Sequence, residues 1–431
     1  MQVVDKIKSV FTSYMTIIIL IIIAAIIAII YGMIHLFQIS RTISSPDNIT
    51  RITQSQNSAL LEQYNYLFNN SQAASKLWSG IADKERILIN MNMTGIRLGG
   101  YLGPFKDGVF SADEAINTGL RTGARVLFID IEYNKKTSKP ELVYRDGEGY
   151  VRSLNTITVK QIAKSISDRA FSVNSDSVPV NIRDIPLVVV LYFHSTPDIV
   201  KKPVEYITFL SQVSKELQVI QPHILAQTPQ GDFRRQNMDT QLFFQPMSVF
   251  KGKIILLCNV DTTIMRKPSD YGAPDFGSTG DLDLLVNARL YSQESGTSFG
   301  STSVVKGTSP PAAIITKPEY FLKMPPENRA EAILLTKKCF TITMNPDESV
   351  VTNVEDLNSL ITDYGVNCVP FIHFMDMKSL APYFAIGNLY EKTPVLPKSK
   401  QLRFVIPDPI ITKVPTQAMN TKGGFITLSN V

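Results

Sequence analysis

The stretch "RVLFIDIEY", residues 125–133, is β-branched and aromatic until two acids interrupt it, Asp130 and Glu132, two positions apart. The run before them has no polar face. A strand of that kind is covered on both sides, as in parallel α/β folds. The two acids then stand where such a strand ends, and strand ends are where these folds place their chemistry.

The same signature recurs along the chain. "RILINM", "ELVYR", "PLVVVLYFH", "KGKIILLCNV", "CFTITM" and "CVPFIHFM" read as strands, separated by helix-like segments such as "TITVKQIAKSISDRAF", "PVEYITFLSQVSKEL" and "VEDLNSLITDYG". In these segments Ile162, Ile166 and Ala170, then Ile207, Leu210, Val213 and Leu217, fall at three- to four-residue steps. Strand followed by helix, repeated over residues 86–393, predicts an α/β fold, a TIM-type (β/α)8 barrel, in preference to an open sheet. Its mouth is then expected to gather Asn92, Asp130, Arg145, Asp146, His194, Cys258 and His373. Residues 265–313, rich in Gly, Ser and Pro, read as an excursion on the rim, a lid or a surface for another protein. Residues 394–431 read as a tail that wraps the barrel.

Upstream, "MTIIILIIIAAIIAIIYGMIHLF", residues 15–37, is a continuous apolar run that rises about 34 Å as a helix, enough to cross a bilayer core. It exceeds a signal-peptide core, and no small-residue cleavage site follows it, so an uncleaved single-pass anchor after a short tail, 1–14, is expected. Lys6 and Lys8 before the run nearly balance Arg41 and Arg51 after it. Sequons beginning at Asn48, Asn69 and Asn92 favour an extracytoplasmic body. Between anchor and barrel, residues 38–85 place Leu60, Leu61, Tyr64, Leu67, Phe68 and Trp78 at near-helical spacing, as in a stalk or a capping helix.

Composition narrows the function classes. A hydrophobic content of 44% supports a large core, and a net charge of +5 without a Lys/Arg block argues against nucleic acid as a partner. Cys258, Cys339 and Cys368 have neither metal-site nor redox-motif spacing and read as buried thiols. Nucleophile-elbow, zinc-protease and phosphate-loop motifs are absent.

The segments "ADEAINTGLRTGARVLFIDIEY", "NTITVKQIAKSISDRAF", "IPLVVVLYFHS", "SVFKGKIILLCN" and "YGVNCVPFIHFMDM" stand in the order of the corresponding segments of the phosphatidylinositol-specific phospholipase C catalytic domain, which the chain resembles over roughly residues 86–390. The Ile- and Asn-rich composition suits the divergent membrane-anchored members of that family encoded by large DNA viruses. The resemblance implies phosphodiester cleavage by a histidine base and a histidine acid, with calcium on carboxylates in the eukaryotic branch. Carried over by residue, it puts Asn92 at the first histidine and Met93 at a metal-binding asparagine. The second histidine falls on Arg145 or Asp146, and the metal acids on Phe128, Asp130 and Tyr192. The phosphate-binding lysines fall on Leu257 and Asn259.

Asn92 and Arg145 cannot shuttle protons near neutral pH, and one carboxylate cannot satisfy calcium, which takes six to eight oxygens. Glu132 replaces a lost ligand only if the strand ends one step differently. The expectation is a membrane-anchored, catalytically degenerate barrel that works as a binding or structural protein. It needs no cofactor and has the lipid bilayer as partner, with phosphoinositide-type head groups, bound through Arg145, or another protein at 265–313 as further partners. The alternative is an active phosphodiesterase built from Asp130, Glu132, Arg145, His194 and His373, with calcium. His373 would then couple to Asp376, while His223 caps a strand in either case.

Overall fold

The computed structural model describes residues 14–15, 17–34, 45–69, 81–171, 185–224, 241–264, 281–293, 299, 311–347, 350, 352–375, 377–384, 395–405, 417–419 and 425–427. Seven strands, β1 (Gly95–Ile96), β2 (Val126–Asn134), β3 (Leu187–Phe193), β4 (Ile254–Cys258), β5 (Ala288–Ser292), β6 (Ala313–Thr316) and β7 (Phe340–Thr343), form one sheet. They lie in chain order, and each is parallel to its neighbours. Residues 367–371 close the ring. Cys368 N–H donates to Thr341 O at 3.1 Å on one side, and Phe371 N–H to Gly95 O at 2.9 Å on the other. The result is a (β/α)8-type barrel whose eighth position carries Pro370, a residue without a ladder donor.

Side-chain alternation sets inside and outside. The Tyr133 ring meets Phe209 of the helix Pro203–Glu216 at 5.3 Å, so odd residues of β2 face the helices. Phe128, Asp130 and Glu132 therefore point inward, and Phe128 meets Tyr192 of β3 at 6.2 Å. The helix Val159–Ala170 begins on a capping box, in which Thr158 accepts from Gln161 N–H and the Gln161 side chain accepts from Thr158 N–H. The helix Ala112–Arg121 carries Asp113 and Glu114 in its first turn and Arg121 in its last, matching the helix dipole. The three thiols are free and buried.

Four segments differ from the sequence reading. "RILINM" is not the first barrel strand. Leu88–Asn90 is a 3-10 turn, and Met91–Met93 pairs antiparallel with Val395–Pro397. Asn367 holds this segment in place by donating to Ile89 O and Met91 O at 2.9 and 2.8 Å. Barrel strand β1 follows it and is only two residues long. "ELVYR" is not a barrel strand either: Lys139–Glu141 pairs antiparallel with the far end of β2. Residues 265–313 are not wholly a rim excursion, since β5 lies within them and β6 begins at their end. The rest of that stretch, apart from 281–293, 299 and 311–313, lies outside the described residues. The helix Val354–Asn358 passes directly into a π turn, Ser359–Asp363.

The helix Pro46–Asn69 lies against the barrel. Leu60 and Tyr64 are buried, Asn57 Nδ2 donates to Glu114 Oε2 at 2.7 Å, and Gln63 Nε2 to Met375 O at 2.7 Å. Ahead of it, Ile17–Ile34 is helical, long and apolar enough to cross a membrane, with its side chains exposed.

Candidate functional site at the barrel mouth

The C-terminal ends of the strands open onto a mouth built around β2 and β3. Asp130, inward and 3% exposed, has both oxygens engaged. Its Oδ2 accepts from the Leu98 N–H at 3.0 Å, and its Oδ1 lies 2.8 Å from His194 Nε2. Leu98, two residues beyond the end of β1, has a φ of 52°, a left-handed conformation that is costly for a leucine. The buried carboxylate holds that turn in place. His194 follows the last residue of β3, stands edge-on to Tyr192 at 4.9 Å, and leaves 32% of its side chain exposed.

Glu132, one step further along the inward face, accepts from Arg145 Nε at 3.0 and 2.8 Å. Arg145 also donates to Gly149 O at 3.2 Å. Asp146 turns away from both, toward Arg152 and the backbone N–H groups of Glu148 and Tyr150, and organises the 146–150 turn. Arg145 and Asp146 thus do not act as a pair.

On the β1 side the mouth is filled by rings. Tyr101 packs against Phe110, Tyr144 and Phe374 at 4.9, 5.1 and 5.3 Å, and Phe105 meets Phe374 at 5.0 Å. His373, next to Phe374, is fully buried, and neither ring nitrogen has a hydrogen-bond partner. Burial pushes its pKa down to about 4, so the ring is neutral. Its carbonyl accepts from the Tyr64 hydroxyl at 2.6 Å, which places it beneath the Pro46–Asn69 helix. Asp376, its expected partner, lies outside the described residues.

Asn92 is a correction. It lies before β1, at the floor of the barrel, where its side chain donates to Val366 O and is 1% exposed. It cannot face Arg145 across the mouth, and its sequon is sealed in the fold. Cys258 is likewise no mouth residue: its thiol is buried and points to Val260 O. His223 stacks on Phe171 at 4.5 Å, beyond the helix that ends at Glu216 and hence on the floor side, with its pKa lowered by burial. Met93, Phe128, Tyr192 and Leu257 are buried core residues.

Three residues that the sequence reading did not single out for these roles hold the two ends together. Arg97, 3% exposed just after β1, donates to Asn345 O at 2.6 Å and lines a shallow cleft with Asn345, Thr352, Phe371 and Tyr383. Asn259 ties β3 to β4 by accepting from Phe193 N–H at 2.8 Å and donating to Phe193 O at 3.0 Å. Lys398, buried on the floor, donates to Thr336 O at 2.9 Å and has its pKa pushed down to about 7 by burial.

Calcium does not fit this mouth. Among the described residues no cluster of three or more His, Cys, Asp or Glu side chains could hold a metal. The Asp130 oxygens already face an N–H and an imidazole, and Glu132 faces a guanidinium. What the mouth does offer is a carboxylate-oriented imidazole, Asp130–His194, beside a carboxylate–guanidinium pair.

No family model matches the sequence, and no curated protein matches it. Solved structures do. The likeness is to phospholipase C barrels. PLC21 from S. officinalis is 14% identical with a TM-score of 0.44, over 76% of this chain and 39% of that one. A calcium-dependent phosphoinositol-specific phospholipase C from a Gram-negative bacterium, Pseudomonas sp, is 10% identical with a TM-score of 0.43, over 73% and 96%. A calcium-dependent phosphatidylinositol-specific phospholipase C from Streptomyces antibioticus is 10% identical with a TM-score of 0.38, over 72% and 99%. The chain spans well under half the length of PLC21.

Proposed function

We propose that the chain is a membrane-anchored, phospholipase-C-like barrel that does not run acid–base hydrolysis and serves as a binding or structural protein. One observation carries this reading. Both inward carboxylates of β2 are engaged by the protein itself, Asp130 by the Leu98 N–H and His194, and Glu132 by Arg145. Among the described residues no histidine acid faces a histidine base at the mouth. The test is hydrolysis of phosphatidylinositol by the full chain, with and without calcium. The expected result is no turnover above buffer in either condition.

A second reading rests on His194. Its Nε2 is oriented by a buried carboxylate at 2.8 Å while part of the ring meets solvent, an arrangement that suits a general base. Calcium-independent cleavage that disappears in His194→Ala would establish that reading and end the first. Arg145, half-exposed beside Glu132, is the group through which a phosphorylated head group would be held in either case. The anchor is Ile17–Ile34. Its test is resistance of the full chain to alkaline extraction, and glycan attachment at Asn48 or Asn69 would place the barrel outside the cytoplasm.

A further inference from the structure

We propose that residues 395–404 form an acid-released latch on the barrel floor: the strap is closed while the Lys398 amine is neutral and opens when that amine takes up a proton. The floor is the end opposite the mouth, so the latch stands whatever the mouth binds.

The strap joins the last part of the chain to the segment that leads into β1. Val395–Pro397 pairs antiparallel with Met91–Met93, and Lys398 N–H donates to Asn90 O at 2.8 Å. Phe404 N–H donates to Asn90 Oδ1 at 2.7 Å, and Asn90 Nδ2 donates back to Phe404 O at 2.9 Å. Arg403 Nε donates to Lys398 O at 2.7 Å, and the same guanidinium pairs with Glu85 at 2.8 Å. Within the strap only Val395, Lys398 and Leu402 are buried. Little apolar area therefore holds it, and a segment of that kind opens locally without unfolding of the sheet.

Lys398 stands at the centre of these contacts, 1% exposed. Its Nζ faces two uncharged oxygens, Thr336 O at 2.9 Å and Asn367 Oδ1 at 3.3 Å. A neutral amine has two N–H groups, which these oxygens satisfy. An ammonium carries a third, and the described residues offer it no acceptor.

The surrounding elements bring no counter-charge. The helix Arg329–Lys338 ends in Lys337 and Lys338, and the turn Lys400–Leu402 adds Lys400. Glu85 is already taken by Arg403, and the Tyr364 ring lies against the Arg329 guanidinium. Burial pushes the Cys339 thiol up to about 12 and raises that of Cys368 as well, so both stay uncharged. Burial likewise pushes the Lys398 amine down to about 7. Opening the strap returns the amine to water and to the ordinary lysine value of about 10.5. Below pH 7 the amine is charged in both states, and the closed strap bears the whole cost of burying it. Above pH 7 each further unit closes the strap about ten-fold more.

The experiment is hydrogen exchange of the full chain in detergent at pH 6 and pH 8.5, with rates corrected for the intrinsic pH dependence of amide exchange. Peptides covering 395–404 and 86–93 are expected to exchange at least ten-fold faster at pH 6, while β3 keeps one rate. Lys398→Met fills the site with a side chain that gains no proton, and its strap should exchange slowly at both pH values. Lys398→Arg stays charged and should exchange fast at both. A parent strap whose rate is the same at pH 6 and 8.5 overturns the proposal, and that result needs no variant to fold. So does a pH dependence that survives in Lys398→Met, because another group would then drive the opening. A ten-fold change shared by β3 overturns it too, since the whole barrel and not the strap would be opening.

Discussion

Acidification should destabilise the protein through His373. The neutral ring is held with a pKa of about 4, against about 6.5 for an unfolded histidine. Because the folded value is the lower one, the unfolded chain binds the proton first. The contribution is therefore complete above pH 6.5 and is lost as the pH falls toward 4. Each pH unit inside that window costs about 1.4 kcal/mol, so lowering the pH from 7 to 5 should remove about 2 kcal/mol. Urea titration of the full chain in detergent, followed by the near-ultraviolet dichroism of its buried tyrosines, measures this. His373→Leu keeps an apolar ring-sized group beneath Tyr64 and removes both unpaired nitrogens. Its stability at pH 7 should match or exceed that of the parent, and its loss between pH 7 and 5 should be about 2 kcal/mol smaller. The remaining ionisable groups are the same in both proteins and cancel in the difference. An identical acid slope in parent and variant would refute the burial argument.

Asp130→Ala leaves the Leu98 N–H without its acceptor and should cost about 2–3 kcal/mol in urea titration, with Asp130→Asn losing roughly half of that. Glu132→Gln should cost less than about 1 kcal/mol, because Arg145 is more than a third exposed and solvent screens the pair. Gly95→Ala drives a methyl to 2.5 Å from Cys368 Sγ and should open the seam between β1 and the closing segment, seen as faster amide exchange at Phe371 and Arg97. Deletion of residues 1–40 removes the apolar helix and leaves Pro46–Asn69 intact. The product should stay in a high-speed supernatant without detergent.

The parallel barrel was legible where strands are long and uniformly apolar. β2, β3 and β4 announce themselves, and so do the helices whose buried residues repeat at Ile162, Ile166 and Ala170 or at Leu210 and Val213. β1 was not legible, because two residues set no period and Gly95 reads as a turn. β5 alternates buried and half-buried residues through Arg289 and Tyr291, and its Gly- and Ser-rich surroundings masked it. The misplacement of Asn92 has the same root. An apolar run tells that a segment is buried, but its pairing with Val395–Pro397 comes from the far end of the chain. At the mouth, the inward direction of Asp130 and Glu132 could be anticipated from alternation. Their partners could not, since a backbone N–H at Leu98 leaves no trace in residue type, and only folding brings Arg145 to Glu132.

That pairing between Met91–Met93 and Val395–Pro397 also sets an order of assembly. The floor strand leaves the ribosome early, while its partner follows roughly 300 residues later, so this contact must wait for nearly complete synthesis. Until then Asn92 and Lys398 lack the enclosed floor that holds them in the finished barrel. A chain truncated before residue 395 should therefore keep its early strands and still present an unfinished floor, a state that quality-control proteases can recognise.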